Sequence, residues 1–169
     1  MRFGFVMGLA VATGARSLMR RFLLAQFRRN VAALNAGDYG PLLANYAEDA
    51  VLHFNDGPHR WAGEHRGKAA IERFLQEFVG AGLKGEIREL WTGGPPWAMT
   101  MAVRFDDEAT AGAERLYANR VAMVIRTRWG RIVEQQDFYE DSERIPAFER
   151  TLREHGIGPV AQPSAPSAL

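Results

Sequence analysis

Leu24, Phe27, Val31 and Leu34 recur at helical spacing, while Arg20, Arg21, Arg28 and Arg29 lie largely off that line. The pattern predicts an amphipathic helix from Ser17 to Asn35, stopped by Gly37. Asp38 then reads as the N-cap of a short second helix carrying Leu42, Leu43 and Tyr46, which ends at Glu48-Asp49. Ala50 to Asn55 reads as a strand, with Leu52 and Phe54 on one face and Val51, His53 and Asn55 on the other. A loop rich in glycine and polar groups, Asp56 to Gly67, leads to a third helix marked by Ile71, Phe74, Leu75 and Phe78 and ending at Gly80.

The period then changes from helical to alternating. Glu86 to Thr92 alternates weakly, and Trp97, Met99, Met101, Val103 and Phe105 alternate cleanly against Ala98, Thr100, Ala102 and Arg104. Arg115 to Arg128, a tight Trp129-Gly130 turn and Arg131 to Glu140 predict a long antiparallel hairpin. Ser142 caps a last short helix holding Ile145, Phe148 and Leu152, ended by Gly156. Helices followed by strands predict an α+β layer fold, a curved antiparallel sheet packed against helices. Its concave face is the expected pocket, apolar with a few orienting polar groups.

With 169 residues, a formal charge of +1 and no cysteine, the chain suits one domain that needs no disulfide staple. The charge balance gives no pull toward nucleic acid or an anionic membrane, so a small, nearly neutral partner or substrate is expected. No apolar run reaches the eighteen or so residues of a membrane span. The expected location is cytoplasmic, or exported if residues 1–15, apolar and rich in glycine after Arg2, act as a signal peptide. Residues 1–16 are therefore expected to be a leader or disordered N-terminus, 17–156 the domain, and 157–169 a disordered Pro/Ala/Ser tail.

Val31-Ala-Ala-Leu-Asn-Ala-Gly-Asp38 followed by Tyr46-Ala-Glu-Asp-Ala-Val51 resembles the opening of nuclear transport factor 2-like proteins, notably ketosteroid isomerases and SnoaL-like polyketide cyclases. Gly63 to Ile71 resembles that superfamily's entry into its third helix, and Gly130 to Tyr139 its closing strand. The resemblance implies a cone-shaped, cystatin-like sheet around a pocket. It also implies sheet-to-sheet homodimers, for which the Trp97 to Phe105 stripe offers a face.

Within that group the resemblance discriminates. The positions matching the tyrosine, base and protonated aspartic acid of ketosteroid isomerases hold Asn30, Phe54 and Ala122, which lack the groups that enolisation needs. The set matching limonene-epoxide-hydrolase-like enzymes reads Arg120, Asp137, His53 and Asn55, with Ala122 in place of one aspartate. Resemblance to SnoaL-like cyclases implies a general base on the last long strand, where Asp137 stands, and requires no cofactor or metal.

The expected catalytic set is Asp137 as base with Arg120 and His53 in support. Asn55, Trp61, Gln135 and Tyr139 are expected to contact substrate. A buried Asp137 would carry a raised pKa suited to proton abstraction, while an Asp137–Arg120 ion pair is the structural alternative. His53, His59 and His65 repeat every six residues, a poor metal pattern. The expected function is cofactor-free proton abstraction, of cyclase or isomerase type, on a hydrophobic carbonyl compound. A non-catalytic ligand-binding or dimerisation module and an epoxide hydrolase-like activity are the alternatives.

Overall fold

The computed structural model describes residues 3–160, with side chains from Leu18 onward. Helix α1 spans Phe3–Asn35. It starts earlier than the pattern predicts, because no proline interrupts that stretch. The segment expected as a leader or disordered end is thus helical in backbone from Phe3. Among the described residues no helix is long and apolar enough to cross a membrane. Helix α2 is only Gly40–Leu43, and the Asp38 carboxylate accepts a bond from the Gly40 amide at 3.0 Å.

Strand β1 is Tyr46–His53, so Tyr46 begins a strand and does not end a helix. Strand β2, Glu64–Arg66, lies inside the stretch read as loop and pairs antiparallel with β1. Helix α3 is Lys68–Gly80, with Ile71, Phe74, Leu75 and Phe78 buried as their spacing requires. Then follow β3 (Leu83–Gly93), β4 (Thr100–Ala111), β5 (Glu114–Arg128), β6 (Arg131–Tyr139) and α4 (Arg144–Glu154). Trp97, expected inside β4, precedes it and is exposed.

The six strands form one curved, unclosed sheet in the order β2-β1-β6-β5-β4-β3. It is antiparallel throughout except for β1 and β6, which run parallel. The curved antiparallel sheet expected from the sequence thus carries one parallel pair, since β1 and β6 are far apart in the chain and only such a long connection permits a parallel neighbour. Leu52, Met101, Val103, Phe105, Val121 and Ile125 bury the inner face among α1, α3 and the sheet. The end of α1 is fastened to β3 by Asn35, whose amide donates to the Gly85 carbonyl and accepts from the Gly85 amide, both at 2.8 Å. Gly85 is required there: a Cβ would lie 1.8 Å from Phe105 Cζ.

Ile145, Phe148, Glu149 and Leu152 of α4 are buried, so α4 covers the interior from the far side. The chain after it does not leave at once. Arg60 donates to the carbonyls of Ile157 and Gly158, and the Val160 amide donates to Glu77 at 2.8 Å. The expected tail is therefore docked through Val160, and its residues 161–169 lie outside the described residues.

Candidate functional site

The β5–β6 hairpin decides which side chains reach the interior. Trp129 and Gly130 both take positive φ, 51° and 77°, the combination a two-residue type I′ turn demands. A regular ladder from Arg128 and Arg131 would set Asp137 opposite Ala122. Instead, Thr127 pairs with Ile132 and Arg126 with Glu134, leaving Val133 as an extra residue on β6. This bulge shifts the register by one, so Asp137 faces Met123. A one-residue slip exchanges faces.

Arg120 accordingly sits on the outer face with Ala122, exposed and paired with Glu140. The expected Arg120–Asp137 pair does not form. His53 also lies on the outer side of β1, half exposed and 3.4 Å from Glu64. Neither residue can support a base at Asp137 from there.

What surrounds Asp137 is a polar seam across an apolar face. The Tyr46 hydroxyl donates to Gln135 Oε1, and Gln135 Nε2 donates to Asp137 Oδ1 at 2.9 Å. One position along the same face, the Tyr139 hydroxyl donates to Asp107 Oδ2 at 3.0 Å. Asp137 and Asp107 are both buried. Burial raises the Asp137 carboxyl to about 7, against the Gln135 hydrogen bond and with help from the charge of Asp107. Burial likewise raises Asp107 to about 6, against the Tyr139 hydrogen bond. The tyrosines stay neutral donors, since burial and the nearby carboxylates push the phenols of Tyr46 and Tyr139 upward.

Gln135 and Tyr139 were expected from the sequence, and both join the seam. Asp107 and Tyr46 were not. Tyr46 reads as helical because it follows Leu42 and Leu43 at helix-like spacing. Asp107 falls just beyond Phe105, where the run of large apolar residues at alternate positions stops. Its signal was Ala109, buried two residues on, which shows the period of two continuing through the aspartate.

Beside Asp107 lies a cavity of about 10 Å³, the scale of one water. Phe54, Trp61, Tyr117, Tyr139 and Phe148 are among its walls. Trp61 is 2% exposed and stacks on Phe148 with ring planes 1° apart. Asn55 Oδ1, both ring nitrogens of His59, Trp61 Nε1 and Asp107 Oδ1 are buried without hydrogen-bond partners. Burial lowers the His59 pKa against the pull of Glu149 and Asp56, which keeps its ring neutral. Among the described residues no three His, Asp or Glu side chains converge on a metal position. His65 Nε2 instead meets the Trp61 carbonyl at 2.9 Å.

A wider open groove of about 860 Å³ borders Asp107 from another side. Four of its five lining cations are paired, Arg88 to Asp106, Arg115 to Glu108, Arg120 to Glu140 and Arg144 to Asp141, and the fifth is Lys84.

Comparison with known proteins agrees with this architecture. The family model for a SnoaL-like domain matches residues 27–135. Bal32a from a soil-derived mobile gene cassette is 23% identical, with a TM-score of 0.56 over 75% of this chain and 92% of its own. TerC, co-crystallised with polyporic acid, is 17% identical, with a TM-score of 0.57 over 79% of this chain and 95% of its own. A putative polyketide cyclase from Xanthomonas campestris is 20% identical, with a TM-score of 0.52 over 76% and 98%. These likenesses concern the fold. No curated protein matches the chain.

Proposed function

Because the chain belongs to the SnoaL-like domain family, we propose that it is a cofactor-free enzyme of cyclase or isomerase type acting on a small hydrophobic carbonyl compound, with Asp137 as general base. The observation that carries this reading is the Asp137 carboxyl, buried on an apolar face and raised to about 7. A base is most effective when its pKa lies near the working pH. The ionised carboxylate takes a proton from a carbon next to the carbonyl, and the electron pair of that C–H bond moves into the enolate. The protonated Asp137 then returns the proton to another carbon, in an isomerase, or to the alkoxide formed on ring closure, in a cyclase.

Gln135 positions the base. Its amide holds Asp137 Oδ1, and its own carbonyl is held by Tyr46, so the carboxylate keeps one orientation while its other oxygen reacts. The description of one structural neighbour as a putative polyketide cyclase supports the ring-closing branch. The residues that the resemblance assigned to epoxide opening are divided between the two faces of the sheet, which weakens that branch.

A second reading has its own observation. The interior is nearly full, with a cavity of about 10 Å³, and that favours a non-catalytic module. In it, the outer face bearing Ala122, Val124 and the exposed Trp91 and Phe138 meets a second copy. We infer a homodimer on either reading, and a monomer alone at micromolar concentration in light scattering would refute it. Proton exchange separates the two readings. Incubated in D2O with cyclic and aryl ketones, the enzyme incorporates deuterium at the α-carbon, Asp137→Asn abolishes incorporation, and the far-UV spectrum is unchanged. Equal exchange by both proteins removes Asp137 as base.

A further inference from the structure

The even charge total conceals an uneven distribution. Of 21 basic and 20 acidic side chains, six basic ones and no acidic one fall in residues 1–37, so the rest of the chain holds 15 basic to 20 acidic and carries −5. The six are Arg2, Arg16, Arg20, Arg21, Arg28 and Arg29, which belong to α1 or adjoin it. Among the described residues Arg20, Arg21, Arg28 and Arg29 are exposed and form no ion pair, and Arg29 donates to the neutral amide of Gln26 at 2.6 Å. Acids of the outer sheet face, by contrast, are matched, among them Asp106 to Arg88, Glu89 to Arg104 and Glu134 to Arg126.

Burial along α1 falls toward its start. Val31 and Leu34 are buried, and Leu24 and Phe27 are partly buried against the core, whereas Leu18 and Phe22 are 69% and 62% exposed. By the helical period of about 3.6 residues, Leu18 and Phe22 lie opposite the stripe of Leu24, Phe27, Val31 and Leu34. Arg29 continues their side, and Arg21 and Arg28 border it. One apolar stripe of the helix is thus covered by the domain and the other is uncovered. Because the two point in opposite directions, a second surface can be met without releasing the first.

Charge and apolarity together define that second surface. Leucine and phenylalanine bordered by arginines suit a layer that is hydrocarbon beneath and anionic above, since an arginine stem lies along the hydrocarbon while its guanidinium reaches a phosphate. Phe3 to Ala15, ahead of these residues, contains no charged side chain, and α1 runs through it. A nucleic acid would meet the arginines but leave Leu18 and Phe22 in water. A second copy would offer sheet acids that arginines already hold.

We propose that α1 is an interfacial helix that docks the protein on an anionic lipid bilayer. It lies in the plane of the headgroups, with Leu18 and Phe22 in the acyl layer and Arg21, Arg28 and Arg29 against lipid phosphates. It does not cross, since among the described residues no helix is long and apolar enough to do so. The rest of the chain, at −5, is held on the water side by repulsion from the same headgroups. This goes beyond the proposed reaction and does not depend on it.

Flotation of the full chain with vesicles tests it, using phosphatidylcholine alone and phosphatidylcholine mixed with phosphatidylglycerol over a range of lipid concentrations. Wild type floats with the anionic vesicles, not with the neutral ones, and high salt releases it. Arg21→Gln, Arg28→Gln and Arg29→Gln together weaken binding about a hundredfold. Leu18→Ser with Phe22→Ser weakens it about tenfold or more, whereas Phe22→Trp, which keeps an apolar ring, binds as wild type. Every variant keeps the wild-type thermal midpoint, since the replaced side chains are exposed. No flotation with anionic vesicles, equal flotation with neutral ones, or binding that either set of substitutions leaves unchanged would overturn the proposal. So would duplex DNA or RNA bound as tightly as the vesicles, or a Leu18→Ser, Phe22→Ser chain that loses a larger assembly in light scattering while its vesicle binding stays the same.

Discussion

The Tyr139 hydroxyl donates to Asp107 Oδ2 at 3.0 Å, joining the last strand to β4 across β5 on the inner face. Among the influences on Asp107 this hydrogen bond lowers its pKa, while burial, the largest, raises it. Tyr139→Phe removes the lowering influence, so Asp107 titrates above its present value of about 6. With Asp107 neutral over a wider range, its charge no longer raises Asp137 as strongly. Carbon-13 NMR of labelled aspartate side chains is expected to show the two titrations move in opposite directions.

The raised carboxyls link stability to pH with a defined sign. Asp137 moves from 3.8 in the open chain to about 7 when folded, and Asp107 from 3.8 to about 6. Between these limits the folded chain binds more protons than the unfolded one, so stability falls as pH rises. The contribution is full below pH 3.8 and is lost as pH passes through the folded values. Each group supplies a slope of about 1.4 kcal/mol per pH unit at most. Urea denaturation is expected to give lower stability at pH 8 than at pH 5.5, with the difference reduced in Asp137→Asn. Proton exchange runs the other way, rising with an apparent pKa near 7 as the base ionises.

Arg60 and Glu149 test how α4 is retained. Their side chains are 3% and 2% exposed. Burial alone would raise the Glu149 carboxyl, but hydrogen bonds from Arg60 and Arg153 and the charge of Arg60 bring it below its usual value. Glu149→Gln leaves a guanidinium without its main counter-charge and is expected to cost about 3–5 kcal/mol. Replacing both partners, Arg60→Met with Glu149→Leu, recovers most of that loss, and a denaturation cycle over the four proteins measures the coupling.

Gly85 tests the contact between α1 and the sheet. The methyl of Gly85→Ala would collide with the Phe105 ring, 1.8 Å from Cζ. Since Phe105 lies two residues before Asp107 on one face, the ring must shift toward the seam or the strand must move. A loss of about 1–3 kcal/mol is expected, measurable as a lowered thermal midpoint. Asn35→Ala, which removes the two bonds to the same residue, destabilises by a comparable route without adding volume.

Much of the fold was legible because apolar periodicity is strong where it matters. Ile71, Phe74, Leu75 and Phe78 repeat at helical spacing and are buried in α3, and Trp129-Gly130 marks the hairpin turn between β5 and β6. The parallel pairing of β1 with β6 was not legible, since no local signal records which distant strands meet. Within the site, Asp137, Gln135 and Tyr139 follow from simple alternation along β6. Arg120 and His53 were misplaced for different reasons. The face of Arg120 depends on the register across a hairpin, and one unpaired residue reverses it. His53 was assigned to the polar side of its strand correctly, but that side turned out to be the outside. Asp107 was overlooked because a charged pair at positions 106–107 resembles the end of a strand, whereas only Asp107 of that pair points inward.

The unpaired Val133 has a consequence for how this hairpin tolerates change in length. Substitution at a position on β5 or β6 alters one side chain, but deletion of one residue between Gly130 and Gln135 would restore the regular ladder. The rest of β6 would keep its pairing, Gln135 opposite Ile125 and Asp137 opposite Met123, because the residue removed is the one that has no partner on β5. Closing the ladder with every residue kept would instead set Asp137 opposite Ala122, on the outer face. Deletion of Val133 is therefore expected to leave the inward face of β6 as it is, with Asp137→Asn sensitivity of proton exchange retained in the shortened chain.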